Sequence, residues 1–188
     1  GLKFGTVTAV FEGVPFELTT FRADCGIKDG RHPQSVSFVR DIVSDLSRRD
    51  FTVNAMAWSP EKGLVDPFGG REDITKRLIR CVGEPSLRFE EDALRILRSL
   101  RFMSRLGFRL DDETAKALRQ NAFRLKTISR ERIFSELSGI ICGKNACDTV
   151  TEYADVISVA LPELFAGGAF MLKRLPDELH LRFAALFK

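Results

Sequence analysis

The sequence predicts an α+β fold in which β-strands come first and helices follow. Residues 6–11 and 14–22 are rich in β-branched and aromatic residues and flank Glu12-Gly13, a pattern typical of a β-hairpin. From about residue 84 onward, apolar residues recur at helical spacing instead. The chain has 188 residues, of which 44% are hydrophobic and 29% charged, and this composition is typical of a globular protein.

Short elements separated by polar loops are predicted for the rest of the first part. Residues 22–38 form a polar stretch with Gly, Pro and Asp, which predicts a loop. Residues 39–49 predict a short helix, and the apolar residues of 51–58 predict a strand with one buried side. A second loop follows at residues 66–73, and Asp73 at its end is the predicted N-cap of the next helix.

Beyond Gly83 the pattern predicts helices. Apolar residues recur three or four positions apart, and short polar breaks separate one segment from the next. The predicted helices are residues 88–106, 111–122, 129–141, 147–160 and 176–187. Ser129 is the predicted N-cap of the third helix, and Pro176 is the predicted first residue of the last. An α/β part is therefore expected to give way to an all-helical part near residue 83.

The composition narrows the class of protein. No apolar run reaches the roughly 18 residues that a membrane-spanning helix needs, so no membrane partner is expected. The four cysteines include no CxxC pair, which argues against a zinc site or a disulfide framework and predicts reduced thiols in a cytoplasmic protein. The net charge of +3 permits nucleic-acid binding without requiring it.

The segment EEDALRILRSLRF has a regular charge pattern. Its Asp92, Arg95, Arg98 and Arg101 follow one another in steps of three. On a helix, such residues form a ribbon along one side. One interpretation is a solvated amphipathic helix in which Glu91 pairs with Arg95. The use of arginine without lysine favours a nucleotide site, because guanidinium groups bind phosphates and base edges in a flat, bidentate manner.

A carboxylate and a guanidinium held side by side can distinguish the nucleobases. Cytosine and adenine each carry an exocyclic amino group beside a ring nitrogen that accepts a hydrogen bond. The carboxylate accepts from the amino group and the guanidinium donates to the ring nitrogen, whereas uracil and guanine present a carbonyl oxygen that a carboxylate repels. Asp92 and Arg95, predicted to lie one helical turn apart, therefore have the groups needed to select C and A.

Two loops carry weaker signals. Arg48, Arg49 and Asp50 precede the strand predicted at 51–58, where a guanidinium could contact phosphate and a carboxylate the ribose hydroxyls. The alternative is a charged loop in front of a core strand. The Gly-Gly pair within residues 66–73 suits a mobile loop near a ligand, although most such loops are ordinary turns.

Three segments, RRDFTVNAMAW, DPFGGREDI and RFEEDALRILRSLRF, occur in this order. Together they resemble the class II CCA-adding tRNA nucleotidyltransferases and their poly(A) polymerase relatives. The resemblance implies that C and A are added to the tRNA 3′ end from CTP and ATP without a nucleic-acid template. It also implies the remainder of a nucleotidyltransferase β-sheet head at residues 1–83, a helical neck at 84–142, and the start of a helical body at 143–188, whose end resembles an HD-type domain.

The same resemblance implies a nucleotide-binding site. Its members would be Arg49, Asp50, Asn54, Glu91, Asp92, Arg95, Arg98 and Arg101. Asp92 and Arg95 would read the incoming base, and Glu91 would orient Arg95.

The remaining roles concern the sugar, the phosphates and the chemistry. By resemblance, Arg49, Arg98 and Arg101 would bind the nucleotide and its phosphates. Asp50 would lie near the ribose. Glu17 would be a supporting catalytic carboxylate, with an exposed strand residue as an equal alternative.

The sequence departs from the family in its metal site. The family holds two Mg²⁺ ions on aspartates spaced D-x-D, and no D-x-D occurs in these 188 residues. We therefore expect an incomplete part of a longer enzyme, inactive in nucleotide transfer by itself. The alternatives are a poly(A) polymerase, a CC- or A-adding specialist, and a non-catalytic tRNA-binding module.

Overall fold

The computed structural model describes residues 5–27, 33–164 and 166–187. Among these residues, short hairpins dominate the first part and helices the second, which confirms the predicted α+β fold. The strands are β1 (Thr6–Phe11), β2 (Val14–Thr19), β3 (Arg22–Ile27), β4 (Pro33–Phe38), β5 (Ala57–Ser59), β6 (Gly63–Val65), β7 (Leu78–Ile79) and β8 (Arg109–Leu110). Each pairs with one other strand: β1 with β2, β3 with β4, β5 with β6, and β7 with β8.

The helices follow from amphipathic spacing. They are α1 (Ile42–Ser47), α2 (Gly70–Lys76), α3 (Pro85–Glu91), α4 (Leu94–Leu106), α5 (Asp112–Asn121), α6 (Arg130–Ile141), α7 (Ala146–Glu152), α8 (Ala154–Ala160) and α9 (Leu179–Ala184). Segments of 3₁₀ helix cover Thr52–Asn54, Ala122–Thr127 and Ala166–Lys173. Within the described ranges, no helix is long and apolar enough to cross a lipid bilayer.

The first hairpin is confirmed. Thr6 lies opposite Thr19, and the turn runs through Glu12 and Gly13, whose φ angles are 48° and 79°. Positive φ at both central residues characterises the type I′ turn, whose twist matches that of the flanking strands. Thr6 and Thr19 share one face of the hairpin, and that face borders the cleft described below.

The loop predicted for residues 22–38 is wrong, because strands form there. β3 and β4 pair antiparallel, with Arg22 opposite Phe38. Residues 28–32, which connect them, lie outside the described residues. A two-stranded ribbon is held by backbone hydrogen bonds, which polar residues form as readily as apolar ones. Composition alone therefore does not reveal this hairpin.

The strand predicted for residues 51–58 is also wrong over most of its length. A 3₁₀ helix covers Thr52–Asn54, and β5 begins only at Ala57. The Thr52 hydroxyl donates to the buried carboxylate of Asp73 at 2.5 Å, a contact with a residue far along the chain. Short apolar runs fit a buried helical turn as well as a strand, and such distant partners decide between the two.

Helix boundaries differ from prediction where tertiary contacts intervene. The predicted helices 39–49, 111–122 and 129–141 are confirmed to within a few residues as α1, α5 and α6. The helix predicted for 88–106 instead divides into α3 and α4, and the helix predicted for 147–160 divides into α7 and α8. The helix predicted for 176–187 corresponds to α9, which begins at Leu179 rather than at Pro176.

The N-cap predicted at Asp73 is wrong, because α2 begins earlier. The carboxylate of Asp66 accepts from the backbone N–H groups of Gly70 and Arg71, at 2.7 Å and 2.9 Å, and thereby caps the helix. Asp73 is buried within α2 and also accepts from Arg80 Nε at 2.9 Å. Hydrogen bonds to Asp66 and to Asp73 therefore hold residues 66–73, the segment expected to be a mobile loop, in place.

Replacing Gly70 with alanine is expected to destabilise the fold. The added Cβ would collide with the backbone carbonyl oxygen of Thr52, which cannot move aside as a side chain can. We expect the free energy of unfolding, measured with urea, to fall by about 1–3 kcal/mol. Thr75→Ala, an exposed change in the same helix, is the control and should cost less than about 0.5 kcal/mol. Equal costs for the two variants would contradict the close approach.

One continuous hydrophobic core joins the two parts of the chain. Phe51 and Ile79 belong to the same cluster as Ile96 and Leu100 on the buried face of α4. β7 pairs in parallel with β8, which follows α4, so the later part of the chain completes a strand pair of the earlier part. The core therefore runs across residue 83, and the predicted domain boundaries stay predictions.

Candidate functional site

A cleft of about 530 Å³ opens between the first hairpin, the end of α1, α4 and α6. Its lining residues are Thr6, Thr19, Arg22, Arg48, Arg49, Asp50, Asn54, Asp92, Leu94, Arg95, Arg98 and Arg132. Counted over the described part of the chain, six of them are arginines and two are aspartates, so positive charge is in excess. Such a lining suits a ligand that carries several negative charges.

Asp92 lies at the break between α3 and α4, where the backbone is extended with φ −150° and ψ 104°. Its Oδ1 accepts from the Leu94 N–H at 3.0 Å, and its Oδ2 accepts from Arg132 Nη2 at 2.7 Å. The uninterrupted helix predicted here is wrong, because Asp92 ends one helix and its side chain bonds to the start of the next. The result is a carboxylate held at both oxygens beside the cleft.

Arg95 is held along its inner edge. Its Nη1 donates to Glu91 Oε2 at 2.5 Å and to the Arg88 carbonyl at 3.1 Å, and its Nη2 donates to the Arg48 carbonyl at 3.2 Å. Glu91 therefore contacts Arg95 as expected, from behind the cleft. An arginine has five N–H donors. Among the described residues, these bonds leave the Nε–H and one Nη2 hydrogen for a ligand.

Asp50 and Arg98, which both line the cleft, form a close ion pair. Arg98 donates from Nε and Nη2 to Asp50 Oδ2 at 2.8 Å and 2.6 Å. Asp50 Oδ1 accepts from the Phe51 N–H at 2.9 Å and from Asn54 Nδ2 at 3.4 Å. The Asp50 side chain is only 9% exposed, whereas that of Arg98 is 34% exposed. The buried carboxylate thus holds a guanidinium that remains accessible from the cleft.

Asp45, which the sequence does not single out, anchors the arginines before Asp50. Its carboxylate lies 2.7 Å from Arg48 Nη2 and 3.2 Å from Arg49 Nη2, and it accepts from the Arg22 N–H at 3.2 Å. Burial alone would raise the pKa of Asp45. The hydrogen bonds from Arg48, the Arg22 backbone and Arg49, with the positive charge of Arg48, outweigh burial and lower the pKa below its ordinary value of 3.8.

Acid should weaken the fold through Asp45. Because its pKa is lowered in the folded chain, the ionised form stabilises the fold above the ordinary value of 3.8, and this contribution is lost as the pH falls through the folded value. We expect the free energy of unfolding to drop between about pH 6 and about pH 3, and to drop less in Asp45→Asn. Asp112→Asn, at a carboxylate 99% exposed, should behave like the parent chain. A parent-like drop in Asp45→Asn would contradict this account.

Most of the residues predicted for the site line this cleft. They are Arg49, Asp50, Asn54, Asp92, Arg95 and Arg98. Of the described residues predicted for the site, Glu17, Glu91 and Arg101 lie outside the lining. Arg101 Nε donates to Glu136 Oε2 at 2.6 Å, and Glu136 Oε1 lies 4.0 Å from Arg98 Nη1 at the edge of the cleft. Glu17 is exposed on β2, two residues before Thr19 and on the same face. The binding roles of all these residues stay predictions.

Arg132, Arg22 and Asp45 contribute to the cleft or its support, and sequence reasoning misses them. Arg132 is 40 residues from its partner Asp92, and the Arg22 N–H is 23 residues from the carboxylate of Asp45. No local spacing connects residues so far apart. The crowding of basic residues up to Arg132 indicates a positive field, but it identifies no partner for Arg132.

The carboxylates that line the cleft do not fit a metal centre. Within the described ranges, no group of three or more His, Cys, Asp or Glu side chains could hold a metal ion. The two aspartates of the cleft are each engaged by an arginine, Asp50 by Arg98 and Asp92 by Arg132. Sites for divalent cations instead collect several oxygen ligands around one point. We therefore derive no metal-dependent step for these residues.

Two family models match the chain. Residues 1–80 match the poly A polymerase head domain. Residues 107–164 match the probable RNA and SrmB-binding site of polymerase A. The cleft thus combines residues from the first matched region with residues from α4 and α6.

The curated proteins similar to this chain include bacterial CCA-adding enzymes. That of Geobacillus thermodenitrificans is 47% identical over 172 residues, which cover 91% of this chain and 43% of the relative. That of Lactobacillus helveticus is 41% identical over 178 residues, which cover 94% of this chain and 44% of the relative. The chain therefore spans less than half the length of these relatives.

Solved structures show the same fold. The Bacillus stearothermophilus CCA-adding enzyme in complex with CTP has a TM-score of 0.82 and 40% identity to this chain. The match covers 94% of this chain and 43% of the Bacillus chain. The Thermotoga maritima CCA-adding enzyme complexed with tRNA-CCA has a TM-score of 0.76 and 27% identity, covering 98% and 46%. A tRNA nucleotidyltransferase complexed with a primer tRNA and an incoming ATP analog has a TM-score of 0.77 and 26% identity, covering 97% and 57%.

Proposed function

Because the chain belongs to the family of CCA-adding tRNA nucleotidyltransferases and poly(A) polymerases, we propose that its cleft selects CTP and ATP for addition to the tRNA 3′ end. The corresponding whole enzyme would be a CCA-adding tRNA nucleotidyltransferase. Similar solved proteins in complex with CTP, with tRNA, and with tRNA and an ATP analog support these substrates. Asp92 and Arg95 would act in place of a template strand.

The observation that carries this proposal is the fixed pair of Asp92 and Arg95. One is a carboxylate held at both oxygens, and the other is a guanidinium held along one edge. Both line the same cleft. A base with an amino group beside an acceptor nitrogen can satisfy both groups at once, whereas a base with a carbonyl at the amino position leaves the carboxylate facing an oxygen. Cytosine at C4 and adenine at C6 carry this amino group, whereas uracil and guanine carry a carbonyl oxygen at the same positions.

The arginines around this pair suit a triphosphate. Arg49 is 43% exposed and Arg98 is 34% exposed, and both line the cleft. Charge-assisted hydrogen bonds from guanidinium groups to phosphate oxygens are among the stronger polar contacts in proteins. Arg98 contacts the carboxylate of Asp50, the residue proposed to lie near the ribose, and Arg49 directly precedes Asp50 in the chain. Base, sugar and phosphates therefore each have a candidate partner.

The transfer step is not assigned to these residues. The family in general uses a divalent metal ion, and the proposed ion is Mg²⁺, which would stabilise charge on the reacting phosphate. The sequence has no D-x-D pair, and the carboxylates of the cleft are engaged by arginines. The proposed role of this chain is to bind and select the nucleotide.

Calorimetric titration of the full chain with each of the four nucleoside triphosphates tests the proposal. We expect CTP and ATP to bind about tenfold or more tighter than UTP and GTP, because a hydrogen bond to a charged group contributes roughly 1.5–3 kcal/mol. All four carry the same triphosphate, so the comparison isolates the base. Equal affinities for all four would refute base selection by this cleft.

A non-catalytic tRNA-binding module is the second candidate, favoured by the missing D-x-D pair. Filter binding with tRNA, beside primer extension with CTP, ATP and Mg²⁺, addresses it. Neither candidate predicts extension by the 188-residue chain alone, so the two are separated in an enzyme completed with a D-x-D segment: extension supports the transferase, and tRNA binding without extension supports the module. The products of a completed enzyme would distinguish CCA, CC, A and poly(A) addition.

A cytoplasmic location is also proposed, on the basis of free thiols at Cys81, Cys142 and Cys147.

A further inference from the structure

Arg132 joins the cleft from α6 and contacts the carboxylate proposed to read the base. Its Nη2 lies 2.7 Å from Asp92 Oδ2, and both side chains are 20% exposed. Both residues also line the cleft. The ion pair is therefore part of the ligand-facing surface.

We propose that Arg132 is a positioning residue that determines base specificity by fixing the carboxylate plane of Asp92. This inference rests on the proposed function, because it concerns how that function discriminates between bases. The last torsion of an aspartate side chain is broad, so a carboxylate held at one oxygen can still rotate. The Leu94 N–H holds Oδ1, and Arg132 holds Oδ2. Two points of attachment remove that rotation.

A fixed carboxylate is what base discrimination requires. An ionised carboxylate has about four acceptor positions. Leu94 and Arg132 occupy two of them, and the remaining positions then have defined directions. A carboxylate free to rotate could turn away from the carbonyl oxygen of uracil, and another donor or a water molecule could take its place. Loss of Arg132 should therefore reduce discrimination between bases.

The position of Arg132 is itself set by the packing of α6 on α4. Ser104 of α4 donates its hydroxyl to the Ile140 carbonyl of α6 at 2.6 Å. A Cβ added at Gly139 would meet the Arg101 side chain, so the two helices approach closely there. Glu136, one helical turn after Arg132, pairs with Arg101 at 2.6 Å. The guanidinium therefore projects from a helix that is fixed relative to the base-reading segment.

The test compares Arg132→Met with Arg124→Met. Arg124 forms an ion pair of similar length, 2.8 Å, with Glu90, and it does not belong to the cleft lining described above. Both variants remove one positive charge and keep a long side chain. Calorimetry of the full chain with CTP and with UTP gives the ratio of their dissociation constants. General electrostatic loss cancels in this ratio, because both ligands carry the same triphosphate.

We expect the preference for CTP over UTP to fall from about tenfold or more to less than about threefold in Arg132→Met, with no change in Arg124→Met. Arg132→Lys, which keeps a donor and a charge, should recover part of the preference. Circular dichroism checks the fold of each variant. If Arg132→Met fails to fold, the test is the preference of Arg132→Lys for CTP over UTP. A partly reduced preference in that variant supports the inference.

Two results would overturn the inference and differ in what else they refute. The first result is a folded Arg132→Met variant that keeps the preference of the parent chain. If only Arg132→Lys folds, the same result in that variant counts instead. Arg132 would then have only a structural role, and the proposed function would stand. A parent chain without any preference for CTP would refute base selection itself, and with it any role of Arg132 in selection.

Discussion

Replacing Asp92 and Arg95 together with alanine is expected to abolish the preference of the chain for CTP and ATP over UTP and GTP. These side chains are the proposed acceptor and donor for the base, and both are held in place by neighbouring groups. The preference of roughly ten- to a hundredfold, the range that one charged hydrogen bond of about 1.5–3 kcal/mol provides, should fall to about one. Calorimetric titration with the four nucleotides measures the change.

The matched control is the pair Glu90 and Arg124. It is also an acid–arginine ion pair, with a separation of 2.8 Å, and neither residue belongs to the cleft lining described above. Its double alanine variant removes the same charges and should keep the preference of the parent chain. Undiminished discrimination in the Asp92 and Arg95 double variant would show that the base is read elsewhere.

Replacing Phe51 with alanine is expected to cause the largest loss of stability. Phe51 is fully buried, and its ring meets that of Phe102 edge-on with centroids 5.7 Å apart. It belongs to the core cluster that joins the first part of the chain to α4. Truncation of a buried phenylalanine costs about 3–5 kcal/mol, a large share of the roughly 5–15 kcal/mol that stabilises a typical domain.

Urea denaturation of the variant measures this cost. Phe123→Ala is the control, because Phe123 is 59% exposed and its loss should cost less than about 1 kcal/mol. Similar costs for both variants would contradict a shared core beneath the cleft.

The helical part of the fold was predictable because amphipathic spacing is a local signal. The ends and breaks of its helices were not. The break at Asp92-Ala93 contains neither glycine nor proline, and Arg132 from α6 bonds to its carboxylate across 40 residues. The hairpin formed by β3 and β4 escaped prediction for another reason, since its backbone bonds do not require apolar side chains.

The site was predictable where ligand chemistry restricts the residue type. An acid and an arginine close together in sequence, as in Asp92 and Arg95, suit a nucleobase whatever the exact path of the backbone. The residues that support them were not predictable, because Arg132 and Asp45 act through partners that only the folded chain brings near. Arg101 donates to Glu136 and is not part of the cleft lining, and its binding of phosphate stays a prediction.

A structure of the chain bound to CTP tests the central claim most directly. We predict the 4-amino group of cytosine at hydrogen-bonding distance, about 3 Å, from Asp92, and the ring nitrogen at a similar distance from Arg95, with the phosphates toward Arg49 and Arg98. CTP bound with its base remote from Asp92 and Arg95 would contradict the claim that these two side chains replace a template.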